Sequence, residues 1–283
     1  MQLNSNCIAI ISGAASGIGR QLTWQMAEKK ISTFALDNNT NCLNETIEKC
    51  ELNRELITPI NIDISNENEV IKFCNAIKQI LNNRTIILIN NAGVSLFSGH
   101  FKDTKIEDLH WLMNINFWGA IYLIKHLYEN LLHSPKAYIV NVSSIFGLGG
   151  IESNTAYCAS KFALKGFTEA LRMETEHTNI KTMIVLPGGI DTNIVVNSRL
   201  SSNFMTNEMK NITIKQFAQR ARTKPQKAAA LIIKAIEKDK EYLIIGLDGK
   251  IFSFITRLFP VAFTSIIKKH IQARFHQHYP KTK

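Results

Sequence analysis

The chain has 283 residues, 45% hydrophobic and 20% charged, a balance that supplies a packed core and excludes a disordered or collagen-like chain. Its 33 Lys and Arg against 23 Asp and Glu give a formal charge of +10. Six of those cations (Arg257, Lys268, Lys269, Arg274, Lys281 and Lys283) fall in residues 251–283, which hold no Asp or Glu, so the excess belongs to the tail. No basic reading motif with interleaved aromatics accompanies it, and nucleic acid is not an expected partner.

Residues 1–6 carry no cationic leader pattern, and no window of about 18 apolar residues suggests a membrane span, so a cytoplasmic chain is expected. Cys7, Cys42, Cys50, Cys74 and Cys158 are scattered, without a CxxC pair, which fits a reducing compartment. Histidine spacing offers no metal site beyond the unsupported pair His276 and His278.

Apolar, β-branched runs predict strands at 8–12, 32–36, 56–62, 85–90, 137–143, 181–186 and 241–245. Helical periodicity predicts helices at 17–30, 67–81, 106–132, 154–178 and 225–238. The alternation implies an α/β fold, a doubly wound, Rossmann-type parallel sheet of about seven strands, with ligands beyond the strands' carboxyl ends. Residues 1–249 read as one catalytic domain, with a substrate lid over 193–224 and a basic amphipathic extension at 250–283.

After the first strand, Ser12-Gly13-Ala14-Ala15-Ser16-Gly17-Ile18-Gly19 opens a helix with the spacing GxxxGxG. Glycines there let the backbone approach a pyrophosphate, which the free N–H groups of a helix start attract. Asp37 ends the second strand, 18 residues beyond Gly19. Its carboxylate suits an adenosine ribose and repels a 2′-phosphate, and neighbouring Ala15, Ser16, Asn38 and Asn39 supply no cation, which favours NAD over NADP. The competing role for Asp37 is a helix N-cap.

Further motifs follow in order: Asn90-Asn91-Ala92-Gly93, Asn141-Val142-Ser143-Ser144, Tyr157-Cys158-Ala159-Ser160-Lys161 and Pro187-Gly188. With them the chain resembles a short-chain dehydrogenase/reductase over residues 5–192, departing from the family's usual pattern by Ser12 in place of Thr. The resemblance implies catalytic Ser144, Tyr157, Lys161 and Asn116, the last holding a water in a proton relay. It implies cofactor contacts from Ser12, Gly13, Ser16, Gly17, Ile18, Gly19, Asp37, Asp63, Asn90, Ala92, Gly93, Tyr157, Lys161, Pro187, Gly188, Ile190 and Thr192.

Tyr157 and Lys161 are four apart, on one helical face, so the ammonium is expected to lower the phenol's pKa and make Tyr157 a general acid or base. Ser144, 13 residues earlier, would hydrogen-bond the substrate oxygen, with Ser143 the alternative; Asn114 is the alternative to Asn116. Cys158 should face away from the site. Val195, Val196, Leu200, Phe204 and Met205 are candidate pocket residues in the lid.

The expected function is NAD-dependent hydride transfer with a hydrophobic or lipid-like secondary alcohol or ketone, in a homodimer or homotetramer. An NADPH-linked carbonyl reductase and a non-catalytic dinucleotide-binding regulator are the alternatives. In the tail, Phe252, Phe254, Ile255, Leu258 and Phe259 precede Pro260. Beyond it Phe263, Ile266, Ile267 and Ile271 oppose Lys268, Lys269 and Gln272, a pattern that suits a membrane surface, the enzyme body or another subunit.

Overall fold

The computed structural model describes residues 3–201 and 206–267. The strands are β1 (Cys7–Ser12), β2 (Ser32–Asp37), β3 (Ile57–Asn61), β4 (Thr85–Asn90), β5 (Leu96–Phe97), β6 (Ala137–Val142), β7 (Ile180–Pro187), β8 (Arg199–Leu200) and β9 (Tyr242–Ile245). All but β5 and β8 form one parallel sheet in the order β3-β2-β1-β4-β6-β7-β9, the doubly wound architecture the alternation implies. Strand order reverses between β1 and β4, so the chain leaves these neighbours in opposite directions and opens a crevice at their carboxyl ends.

Helices are α1 (Gly17–Glu28), α2 (Thr40–Glu48), α3 (Glu67–Ile77), α4 (Ile106–Met113), α5 (Gly119–His133), α6 (Thr155–Glu174), α7 (Asn207–Arg220), α8 (Pro225–Glu237) and α9 (Leu247–Leu258). Successive strand side chains point to opposite faces, which splits the apolar runs between two cores. Ala9, Ile11, Ile87, Ile89 and Val140 pack with Leu22 and Met26 of α1 and Ile232 and Ile236 of α8. Ile8, Ile10, Ile86, Leu88 and Ile139 pack with Val70 and Cys74 of α3, Leu123 and Leu127 of α5, and Leu171 of α6.

Four local differences from the sequence reading have physical causes. α2 went unread because it is only nine residues long and buries only Leu43 and Thr46. The stretch 106–132 is two helices joined by a π turn, Asn114–Trp118, in which Gly119 N–H reaches back to Asn114 C=O. Within 193–224, β8 pairs with β5, and α7 buries no residue, which explains its faint pattern. α9 starts before residue 250 and buries Gly249, Ser253 and Thr256, so this part of the extension packs on the body. Among the described residues no helix is long and apolar enough to cross a membrane.

Leu88 lies fully buried in the central strand β4. Leu88→Ala is expected to cost about 3 kcal/mol of stability through the cavity it leaves. Urea unfolding checks this as a lowered midpoint with an unchanged m-value.

Candidate active site

A cleft of about 1460 Å³ runs along the carboxyl ends of the strands, larger than a typical pocket for one small ligand of roughly 300–1,000 Å³. Its floor is the β1–β4 crossing. Ser12 Oγ accepts from Asn91 N–H and Ala92 N–H, both at 3.1 Å, and Asn91 Nδ2 donates to Ser12 C=O at 3.0 Å and Gly13 C=O at 3.2 Å. Gly13 has φ +68°, and a Cβ there would fall 2.7 Å from Ala92 Cα. At Gly19 a Cβ would fall 2.0 Å from Gly13 O. The strand-to-helix turn therefore closes only with glycine at these points.

Gly13, Ser16, Gly17, Ile18, Asp37, Asp63, Ala92, Gly93, Ser144, Tyr157, Lys161, Pro187, Gly188, Ile190 and Thr192 all line the cleft. Ser12, Gly19, Asn90 and Asn116 do not; they shape its wall from behind. Asn90 is buried in the sheet and donates to Asn141 Oδ1 at 2.8 Å.

At the α1 end, Ser16 occupies the N-cap without a side-chain cap bond and the first turn holds no acid, which leaves its N–H groups suited to an anion. Asp37 Oδ2 accepts from Ala15 N–H and Oδ1 from Asn39 N–H, each at 3.0 Å. Asn39, not Asp37, caps α2 by accepting from Cys42 N–H, which removes the competing explanation for Asp37. Asp63 accepts from Ser65 N–H and Oγ, while Asn66 caps α3.

The expectation that no cation neighbours Asp37 is corrected by Arg20. Its side chain lines the same end of the cleft, yet it is tethered to Ala15 C=O at 2.7 Å and Glu45 at 2.9 Å. It lies one helical turn beyond Ser16, and its approach to the cleft depends on where α2 sits.

At the other end, α6 presents Tyr157 and Lys161. The Ser144 hydroxyl favours the ionised form of the Tyr157 phenol, and its Oγ accepts from Phe146 N–H at 3.2 Å. Ser143 is instead buried and donates to Lys161 C=O at 2.8 Å, leaving Ser144 as the serine on the cleft. Lys161 is 2% exposed; its Nζ donates to Val142 C=O at 3.2 Å and lies 5.7 Å from the Tyr157 ring centroid. A Cβ on Gly93 would fall 3.2 Å from that Nζ. Burial lowers the Lys161 pKa to about 8.

The expected lowering at Tyr157 is not what this structure has: burial of the phenolate pushes its pKa up to about 12, with the Ser144 hydroxyl pulling the other way. Lys161 lies over the ring, and burial weakens its own hold on a proton. Cys158 is buried and its thiol is raised by desolvation, consistent with packing.

Asn116 falls in the π turn, and protein groups satisfy its amide. Nδ2 donates to Val94 C=O at 3.0 Å and Ser160 Oγ at 3.1 Å, while Oδ1 accepts from Val94 N–H at 2.7 Å. Ser160 Oγ in turn donates to Tyr157 C=O at 2.8 Å. Both amide protons are thus taken by protein acceptors, Val94 C=O and Ser160 Oγ.

Past β7, Gly188 N–H reaches Ile245 C=O at 2.8 Å, and Gly189 N–H donates to Asp248 Oδ2 at 2.7 Å. Asp248, in the first turn of α9, thereby joins the cleft wall. Sequence reasoning missed it because its partner is 59 residues away.

The segment around β8 is held by Asp108 of α4, buried at 2% exposure, which pairs with Arg199 at 3.0 Å and accepts from Ser201 Oγ. Val195 lines the cleft, whereas Val196 and Leu200 are exposed and outside its lining. Phe204 and Met205 lie outside the described residues, as do Lys268, Lys269, Ile271, Gln272, His276 and His278. Among the described residues no group of three metal-ligating side chains occurs.

The profile of the short chain dehydrogenase family matches residues 7–203. The chain belongs to that family. Short chain dehydrogenases are oxidoreductases that use NAD(P) and small-molecule substrates, and they typically assemble as oligomers. Among curated members, the putative oxidoreductase SadH of Mycobacterium tuberculosis is 28% identical over 264 residues, covering 92% of this chain and 93% of that one.

Two solved members share the fold. A short chain dehydrogenase from Burkholderia phymatum in complex with NAD superposes with TM-score 0.75 at 21% identity, covering 100% of this chain and 99% of that one. One from Burkholderia cenocepacia in complex with NADP does so with TM-score 0.72 at 22% identity, covering 99% and 100%.

Lys161 has a testable thermodynamic cost. Its pKa is 10.5 ordinarily and about 8 when folded, so between these values the unfolded chain holds the proton more tightly and stability rises with pH. Lys161→Met is expected to stabilise the fold at neutral pH by on the order of 1–3 kcal/mol, with the gain shrinking toward pH 10.5. Denaturant titrations of both proteins across this pH range measure it.

Proposed function

We propose that this short chain dehydrogenase moves a hydride between NAD(H) and a hydrophobic, lipid-like secondary alcohol or ketone. The observation that carries the reading is the convergence of Ser144, Tyr157 and Lys161 on one end of a cleft whose other end combines an uncapped helix start with Asp37. The fit of a dinucleotide is supported by the glycine cradle, where a side chain at Gly13 would occupy the space next to Ala92. Ser16, Gly17 and Ile18 would hold its phosphates; Asp37 its ribose; Asp63 its adenine; Ala92 and Gly93 would pack beside it; Pro187, Gly188, Ile190 and Thr192 would meet its nicotinamide side.

Bound NAD(H) supplies the hydride acceptor or donor. In the reductive direction Tyr157, kept neutral by its raised pKa, delivers its hydroxyl proton to the substrate oxygen while Ser144 donates a hydrogen bond to that oxygen. In the oxidative direction Tyr157 takes the alcohol proton, and the Lys161 ammonium beneath its ring favours the phenolate that precedes this step. Asn116 acts as a positioning residue: through Ser160 it fixes the turn of α6 that bears Tyr157, and through Val94 the loop after Gly93.

The substrate end of the cleft is lined by Val94, Leu96, Phe97, Ile145, Phe146 and Val195, which supports an apolar substrate. A homo-oligomer through the outer face of α6 is supported by Phe162 and Met173, exposed eleven residues apart on one helical stripe.

One observation favours the NADPH-linked alternative, the Arg20 guanidinium near Asp37. It is already paired with Glu45, which leaves Asp37 as the uncompensated charge and supports NAD. The kcat/KM ratio for the two cofactors is therefore expected to favour NAD by at least about tenfold, a difference of about 1.4 kcal/mol. Equal or reversed values would remove Asp37 from this role.

Tyr157→Phe is expected to lower turnover by at least about a hundredfold, the usual contribution of a positioned acid or base, while NADH binding by fluorescence stays within a few-fold. A panel of long-chain secondary alcohols and ketones tests the reaction; turnover of Tyr157→Phe close to wild type would refute the mechanism.

A further inference from the structure

We propose that the outward face of α9 docks on an anionic lipid membrane. α9 turns Gly249, Ser253 and Thr256 toward the body and large apolar side chains away from it: Leu247 is 74% exposed, Ile251 52%, Phe254 62% and Leu258 56%. Steps of four, three and four residues place these on one narrow stripe, opposite the buried small residues. An ordinary surface helix has the reverse arrangement, with its large apolar residues inward. Phe259, Val261 and Ile266 continue the exposed apolar surface past the helix end. An outward stripe of this kind adds nothing to the fold and marks a binding surface.

Charge selects the occupant. Lys250 and Arg257 flank the stripe on one side. The acid of the helix, Asp248, lies on the other and directs its carboxylate to Gly189 N–H in the cleft. Residues 268–283, outside the described part of the chain, add Lys268, Lys269, Arg274, Lys281 and Lys283 with no Asp or Glu. A second copy docked on this face by two-fold symmetry would bring both sets of cations into one interface. Anionic headgroups neutralise the same cations while the acyl boundary takes the apolar stripe, so the two contributions add.

The docked helix also borders the cleft. Phe252, on α9, contacts Phe146 at 6.5 Å between ring centroids, and Phe146 contacts Tyr157 at 6.1 Å. A membrane on α9 therefore holds the substrate end of the cleft beside lipid. The docking surface itself does not depend on the hydride-transfer reading, since its test reads binding alone.

The test is flotation of the full chain with vesicles of phosphatidylcholine alone and of phosphatidylcholine mixed with phosphatidylserine. The wild type is expected to float with the mixed vesicles at least about tenfold more than with phosphatidylcholine, and less in high salt. Phe254→Glu with Leu258→Glu is expected to abolish flotation with thermal unfolding and NADH binding unchanged. Lys250→Glu with Arg257→Glu, which leaves the stripe intact, is expected to lose the preference for phosphatidylserine even if the first variant fails to fold.

Wild-type protein that stays at the bottom with mixed vesicles overturns the proposal. So does a folded Phe254→Glu, Leu258→Glu variant, or a Lys250→Glu, Arg257→Glu variant, that floats as the wild type does. Self-association in sedimentation velocity that the first variant abolishes, without vesicle binding, assigns the stripe to a second copy instead.

Discussion

The Ser12 hydroxyl accepts two backbone N–H groups, from Asn91 and Ala92, and with them joins the ends of the two strands where the sheet reverses its winding. That bond pair, with the two bonds that Asn91 Nδ2 donates to Ser12 C=O and Gly13 C=O, sets the height of the loop after β4 above the loop after β1. The close contact of Gly13 with Ala92, the approach of Gly93 to Lys161 and the Asn116 bonds to Val94 all follow from that height. Replacement of the family's usual Thr by Ser keeps the oxygen that accepts both bonds, which is the part the crossing needs.

The proton-transfer end rests on a different constraint, a buried charge tolerated for its position. Lys161 is closed off by β6 and by Gly93, and its low pKa is the thermodynamic mark of desolvation. Behind it, Asn90, Asn141 and Thr168 form a buried polar chain across β4, β6 and α6. This chain ties the helix bearing Tyr157 to the central sheet, so the phenol and the ammonium are held by the same rigid layer. Burial also keeps Tyr157 protonated, and the local charge that would favour its ionised form is itself weakened by the same desolvation.

Much of this was legible because the informative residues act locally. The glycine turn works through backbone conformation, and Tyr157 and Lys161 share a face because a helix repeats every 3.6 residues. Strand runs such as 85–90 were legible because both of their faces are buried. α2 was not, since it spans only nine residues, buries only two of them, and its start is fixed by the Asn39 cap. The π turn at Asn114–Trp118 was not, because it leaves the composition of a continuous helix unchanged.

The sequence by itself determined the alternation of elements, the glycine turn, the acid after β2 and the Tyr-Lys helix, all carried by short patterns and by their order along the chain. Only the tertiary structure decided that Arg20 reaches the same end of the cleft as Asp37, that Asp248 closes the wall at Gly189, and that Asp108 pairs with Arg199. Tertiary packing likewise set the protonation of Tyr157, which depends on what surrounds the ring and not on which residues lie beside it in the chain. The physical reason is common to all four. Hydrogen bonds and desolvation depend on distance in space, and strand order, which brings residues far apart in sequence to one cleft, is fixed by how the two apolar faces of the sheet are covered.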